Sequence, residues 1–278
     1  MQKKFKILYI DYPLDPPGGG QMSLLLLLKN LDRSRFEPVV FVPFRCGFTA
    51  ILEKEGISHE IVPITYMYFR IAALKPDIIH CNAPTARVTF AAGLCAKTLK
   101  IPFIWHVRVT ESAGWKDKVI AGLSTRVIVT SDAVRHKMTG IGIDSKLIKI
   151  HNGVDIEEFN PDIDKAGLRE HFNLDEKDFV VGAIGRLDDW KGHRYFIETA
   201  KLVLRQFPQS RFIIVGDGPE KNNLEAQIKE LGLEGRVILA GFRTDIPELM
   251  SLFDVLVQPS EVEPFGRTVI EAMACGKP

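Results

Sequence analysis

No stretch of this 278-residue sequence approaches the ~20 consecutive apolar residues that a membrane-crossing helix needs. The longest apolar block, Leu24 to Leu28, is closed off by Ser23 and Lys29, which suits a buried helix instead. The N-terminal MQKKFKILYIDY is charged and then strand-like, with too short an apolar core for an export signal. Cysteine is scarce: Cys46, Cys81, Cys95 and Cys275 form no C-x-x-C pair and show no metal-ligand spacing. That excludes a disulfide framework and predicts buried, reduced thiols in a cytoplasmic protein. Net charge is only +1, which offers no argument for a nucleic-acid partner. The charge is uneven, however, at +5 over residues 1–165 and −4 over residues 166–278, so the first half favours an anionic acceptor or a membrane surface.

What is present is an ordinary globular composition, 46% hydrophobic and 26% charged, in a chain long enough to bury one large core or two ordinary ones. Short apolar runs alternate with helical patterns, which predicts parallel sheets wrapped by helices. The runs are Lys6 to Tyr12, Val39 to Pro43, Glu60 to Ile64, Asp77 to Asn82, Pro102 to Val107, Arg126 to Ser131 and Leu147 to Asp155. Such runs are apolar throughout because both faces of the sheet are covered. Ser131 reads as the N-cap of a helix that ends in glycines by Gly142. The charged stretch from Asp162 to Asp178 carries no strand pattern and is expected to hold the domain boundary, drawn between residues 165 and 166. A second set begins at Phe179 to Arg186 and continues through Arg211 to Glu220, Val237 to Phe242 and Asp254 to Gln258. Two sheets in succession, each opening with a strand and a glycine turn, predict two Rossmann-like lobes facing a cleft.

Several residues stand where chemistry is done. Gly18, Gly19 and Gly20 lie between the first strand and a helix expected over Gln21 to Leu31, where backbone can approach a phosphate or a carbohydrate. Their spacing matches neither the dinucleotide fingerprint nor a P-loop, and a tight turn satisfies them equally. His80, Asn82 and His106 fall at strand ends, where open α/β sheets bind ligands, although a strand-end histidine is commonly a core residue or a cap. Arg186 and Lys191 flank the turn after the second set's first strand and could hold a diphosphate, or form a solvated surface pair. The last stretch, PSEVEPFGRTVIEAMACGKP, sets Glu263 before a Pro-Phe-Gly turn and Glu271 on the helix that follows. A helix N-terminus suits an anion. The same spacing is also met by a solvated helix with an Arg267–Glu271 pair.

The string E-P-F-G-x-x-x-x-E-A-M-A-x-G-x-P resembles the Glu-x7-Glu signature of the family 4 retaining glycosyltransferases, which have the GT-B fold. G-R-L-x-x-x-K-G at Arg186 and Lys191 resembles that family's diphosphate-binding segment. PFIWHVR resembles the segment whose strand-end histidine lies beside the transferred sugar, and the Gly18–Gly20 turn resembles the family's glycine loop. N-G-V-D…F-x-P, from Asn152, resembles the junction between the domains.

The resemblance implies a nucleotide-diphosphate sugar as donor, a glycan or lipid acceptor and no metal or other cofactor. It implies a front-face displacement in which the departing diphosphate helps deprotonate the acceptor hydroxyl. Glu263, His106, Arg186 and Lys191 would carry catalysis. Gly18, Gly19, Gly20, Gly216, Asp217, Phe242, Arg243, Phe265, Gly266 and Glu271 would join Arg186 and Lys191 in binding the donor. The expected place is the cytoplasm at the inner membrane face, with peripheral membrane contact.

Two departures stand out. Pro63 to Pro76 holds a short connection where family members carry a longer one, and the chain stops at Pro278 where they continue, so an incomplete second lobe is expected. A nucleotide-sugar 2-epimerase of the same architecture, a periplasmic-type binding protein and an inactive nucleotide-binding fragment are the alternatives.

Overall fold

The computed structural model describes residues 3–13, 15–83, 85–108, 114–165 and 167–278. The chain divides into two compact units, Met1–Gly153 and Val154–Pro278. In the first, seven parallel strands form one sheet: β1 (Phe5–Ile10), β2 (Phe36–Val42), β3 (His59–Ile61), β4 (Ile78–Cys81), β5 (Phe103–Val107), β6 (Arg126–Val129) and β7 (Leu147–Lys149). Their order is β3-β2-β1-β4-β5-β6-β7. The central strands are apolar on both sides because both sides are covered, whereas the edge strands β3 and β7 are half-buried to exposed. Leu8, Ile10, Ile79, Phe103 and Val127 fill one layer, while Ile7 and Tyr9 pack with Leu24, Leu25 and Leu28 in the other. The five-leucine block is therefore the second half of an amphipathic helix, with Leu24, Leu25 and Leu28 buried against the sheet and Leu27 exposed. Strand order reverses between β1 and β4, so the loops leaving these two strands, with Asp11 and Asn82, diverge at the sheet's carboxyl edge.

Some boundaries differ from the sequence reading. The helix expected from Gln21 runs Gly19–Lys29, so Gly19 and Gly20 form its first turn. Glycine is tolerated there because first-turn N–H groups have no intrahelical acceptor to lose, and the Gly18 N–H is capped by Gln21 Oε1 at 3.0 Å. Ser131 does cap the helix Asp132–Met138, its Oγ accepting from the Val134 N–H at 3.2 Å. β7 ends at Lys149, short of Asp155. The connection between Pro63 and Pro76 forms a 3₁₀ turn and the helix Met67–Leu74.

The second unit holds four parallel strands, β8 (Phe179–Ile184), β9 (Ser210–Val215), β10 (Val237–Gly241) and β11 (Val255–Leu256), ordered β10-β9-β8-β11. The helices His193–Leu204, Lys221–Glu230, Ile246–Leu252 and Arg267–Ala274 accompany them. The division falls at 153/154 and not at 165/166 because Phe159, Phe172 and Leu174 pack with Leu249, Met250 and Phe253. The segment read as a linker is thus partly core; Ala166 itself lies outside the described residues. Among the described residues no helix is long and apolar enough to cross a membrane.

Candidate active site

In the second unit, three loops at the carboxyl ends of β8, β9 and β11 are held together by backbone, and glycine is what permits it. Gly216 has φ +147°, and a Cβ there would sit 1.9 Å from the Gly185 carbonyl oxygen. Gly192 has φ +71°, and a Cβ there would sit 2.1 Å from the Pro259 carbonyl oxygen. Both contacts are below any real Cβ separation, so no other residue fits without moving the backbone. The Leu187 N–H donates to the Asp217 carbonyl at 3.0 Å, and the Glu261 N–H donates to the Trp190 carbonyl at 2.9 Å.

That stitching brings Lys191 to Glu263, 72 residues away, where Lys191 Nζ donates to Glu263 Oε2 at 2.7 Å. The same oxygen accepts from Gln258 Nε2 at 3.2 Å and from Ser260 Oγ at 3.1 Å. Gln258 is held in turn by the first turn of the helix Arg267–Ala274, its Oε1 accepting from Thr268 Oγ1 at 2.5 Å. Lys191 Nζ also lies 4.5 Å from the centre of the Trp190 ring, so the cation is bounded by an aromatic face and a carboxylate. Sequence reasoning missed Gln258, Ser260, Thr268 and Trp190; the run Gln-Pro-Ser two residues before Val262-Glu263 was the only local hint.

Arg186 lies on the same turn, with Nε donating to Asp188 Oδ2 at 3.0 Å, a contact that raises the guanidinium's pKa further. Its carbonyl accepts from His193 Nε2 at 3.1 Å, and burial lowers the pKa of that histidine, keeping it neutral. Gly216 and Asp217 lie on the stitched β9 loop. Phe242 and Arg243 follow β10, tied to it through the Gly216 N–H, which donates to the Gly241 carbonyl at 2.9 Å. Arg243 is engaged elsewhere: Nε and Nη2 grip both Asp245 oxygens at 2.8 and 2.5 Å, and Nη1 lies 3.1 Å from His171 Nε2. Gly266 is the buried N-cap residue of the helix Arg267–Ala274, and Phe265 beside it is half-buried. Glu271 is 4% exposed and accepts from Arg267 Nε at 2.7 Å. Burial raises its carboxyl above the usual range, and the Arg267 charge opposes that. The i,i+4 pair is therefore present, but buried and not solvated.

In the first unit, the sequence-predicted Gly18, Gly20, Asn82 and His106 share a polar network with residues that sequence reasoning passed over. Asp11 is fully buried; its Oδ1 accepts from the Tyr12 N–H at 2.7 Å and Gln21 Nε2 at 3.2 Å, and its Oδ2 accepts from Asn82 Nδ2 at 3.0 Å. Burial still pushes its carboxyl up to about 6, against those hydrogen bonds and Arg108. Asn82 Oδ1 accepts from Arg108 Nε, and Arg108 Nη1 donates to Asn152 Oδ1 at 2.7 Å. The stem of Arg108 passes Gly20, where a Cβ would lie 3.4 Å from Arg108 Cδ. His106 Nδ1 lies 3.2 Å from His80 Nε2 and 3.4 Å from Arg108 Nη2. Gly19 opens the helix and is exposed. Among the described residues, no three His, Cys, Asp or Glu side chains are grouped to hold a metal ion.

Comparison with known proteins gives concordant matches. The family model described as Glycosyltransferase Family 4 matches residues 17–158, and that described as Glycosyl transferases group 1 matches residues 164–278. The sequence is 28% identical over 256 residues to the UDP-Gal:alpha-D-GlcNAc-diphosphoundecaprenol alpha-1,3-galactosyltransferase of Escherichia coli, covering 86% of this chain and 64% of that protein. It is 27% identical over 222 residues to the alpha-D-kanosaminyltransferase of Streptomyces kanamyceticus, covering 72% of this chain and 57% of that one. The chain thus spans less than two thirds of the length of either relative. Among solved structures, Anabaena HepE in complex with UDP-glucose superposes with a TM-score of 0.86 at 29% identity, covering 98% of this chain and 79% of that one.

Proposed function

Because this chain belongs to glycosyltransferase family 4 and shares its α/β GT-B fold, we propose that it moves a sugar from a nucleotide-diphosphate sugar to an acceptor hydroxyl with retention of anomeric configuration. The observation that carries this reading is the junction of Lys191 with Glu263, at 2.7 Å, beside the start of the helix Arg267–Ala274. A departing diphosphate develops negative charge, and fixed positive charge aimed at it stabilises the transition state without reorganisation. Lys191, Arg186 and the helix's N-terminal dipole supply that charge. Glu263, fixed by three donors, orients sugar hydroxyls next to the cation, and Glu271 takes the ribose. The stitched loop at Gly216 and Asp217, with Phe242, Arg243 and Phe265, lines the nucleotide. Within the first unit, His106 and the Gly18–Gly20 turn are the candidates for sugar or acceptor contacts.

The chemistry needs no metal, since protein cations take the charge that a metal would. The acceptor is a glycan or a lipid-linked sugar at the cytoplasmic membrane face. The net +5 over residues 1–165 supports such an anionic partner, as does the lipid diphosphate in the name of the Escherichia coli relative. The test is a panel of nucleotide sugars and acceptors scored by mass spectrometry, with product anomers assigned by NMR. One donor should release its nucleoside diphosphate and place its sugar, anomer retained, on an acceptor. Lys191→Ala should lower that turnover by about 100-fold while the variant still unfolds cooperatively, with a melting temperature only a few degrees below wild type, as loss of a ~1 kcal/mol pair requires. Turnover of a nucleotide sugar to its epimer without acceptor, or full activity in Lys191→Ala, would sink the assignment.

A further inference from the structure

The two histidines of the first unit do unequal work. In register, His80 pairs with Tyr9 and with Ile104, so His106, two residues beyond Ile104 on β5, stands on the same sheet face. The two rings are 5.4 Å apart, and Tyr9 lies 5.1 Å from His80 on its other side. His106 Nδ1 faces two groups, His80 Nε2 at 3.2 Å and Arg108 Nη2 at 3.4 Å. A guanidinium nitrogen can only donate, so a proton on Nδ1 would meet N–H against N–H. Nδ1 is therefore the acceptor, and His80 must present Nε2–H to it. Both imidazoles are held neutral, His80 near pKa 3 and His106 well below 6.5, by burial first and then by the Arg108 charge. In a neutral ring with Nδ1 unprotonated, the single proton sits on Nε2. His106 is 7% exposed, and its Nε2 is buried without a hydrogen-bond partner among the described residues. A buried N–H left unpaired is costly, and a bound oxygen is the partner that would satisfy it.

We propose that His80 is a positioning residue which, with Arg108, locks His106 in the Nε2–H form, so that His106 offers a fixed hydrogen-bond donor to an oxygen of the bound sugar or acceptor. In this form His106 cannot act as a general base at Nε2, because the lone pair needed to take a proton is on the other nitrogen and already engaged. The role toward a sugar rests on the transferase reading above; the tautomer does not.

The test is a two-bond ¹H–¹⁵N correlation spectrum of the ¹⁵N-labelled full chain at neutral pH, without donor or acceptor. Wild type should show a protonated-type shift on His106 Nε2 and a lone-pair-type shift on Nδ1. In His80→Phe, with only the longer Arg108 contact left, the Nδ1–H form should become populated, and kcat/KM should fall roughly tenfold, the worth of one buried hydrogen bond. His80→Gln retains a donor N–H, so it should hold the Nε2–H form and stay within about twofold of wild type. A wild-type spectrum with the proton on Nδ1 overturns the proposal whatever the variants do, and an unmixed Nε2–H form in His80→Phe overturns the role of His80. Absence of sugar transfer in wild type counts against the transferase reading instead and leaves the tautomer measurement standing.

Discussion

Lys191 is paired with the carboxylate that is proposed to handle the sugar, and this makes an unusual prediction about Glu263→Gln. Lys191 Nζ is 2.7 Å from Glu263 Oε2, and the two side chains are 15% and 26% exposed. A fully exposed pair is worth between 0 and 1 kcal/mol, and a hydrogen bond to a charged group about 1.5–3. A partly buried pair that also competes with Gln258 and Ser260 for the same oxygen belongs near the boundary, at about 1 kcal/mol. A diphosphate arriving at Lys191 must displace or share that bond. Glu263→Gln removes the competing charge while keeping a side chain that can accept from Gln258 and Ser260. UDP, which lacks the sugar, should therefore bind the variant more tightly than wild type, by roughly fivefold for ~1 kcal/mol. Sugar transfer should fall, because the carboxylate that orients the hydroxyls is gone. Isothermal titration with UDP and GDP at two salt concentrations reads the first effect, and the gain should shrink as salt screens the pair. Lys191→Ala supplies the opposite sign, weaker diphosphate binding, so a general loss of fold cannot imitate the pattern. If Glu263→Gln binds both nucleotides more weakly than wild type, Lys191 is not the diphosphate cation and the charge competition does not exist.

Two further outcomes follow from the geometry. Gly192→Ala puts a Cβ about 2 Å from the Pro259 carbonyl at positive φ, so the stitched loops must part. It should destabilise by roughly 3 kcal/mol in urea unfolding and uncouple Lys191 from Glu263; a wild-type midpoint would show that the loop contact is dispensable. Asp11, raised from 3.8 to about 6 by burial, binds its proton more tightly when folded, so its contribution is fully present below pH 3.8 and lost as pH rises through about 6. Measured against Asp11→Asn, wild type should therefore lose on the order of 3 kcal/mol of relative stability between those limits, and parallel stability–pH curves for the two proteins would refute it.

The backbone plan was legible from the chain because it is written locally. Apolar runs of strand length, a serine before a helix and glycines after strands act within a few residues, so two parallel α/β sheets in succession could be read directly. So could the Glu-x7-Glu string, whose two acids lie on one turn and the helix it opens. Errors arose where packing overruled local pattern: Gly19 and Gly20 entered a helix whose first turn asks little of them, and residues 154–165 joined the second core through Phe159.

Strand order and loop contact decided which side chains meet, and neither is a property of nearby residues. Lys191 and Glu263 are 72 positions apart and Asp11 and Asn82 are 71, each pair joined only because parallel strands deliver their carboxyl ends to one edge. Local sequence left His80 open between a ligand-facing strand-end residue and a core histidine, and the register of β4 and β5 sets it against His106. Residue types and local turns are therefore carried by sequence, whereas protonation, tautomer and charge pairing depend on distances of about 3 Å that only the folded chain creates.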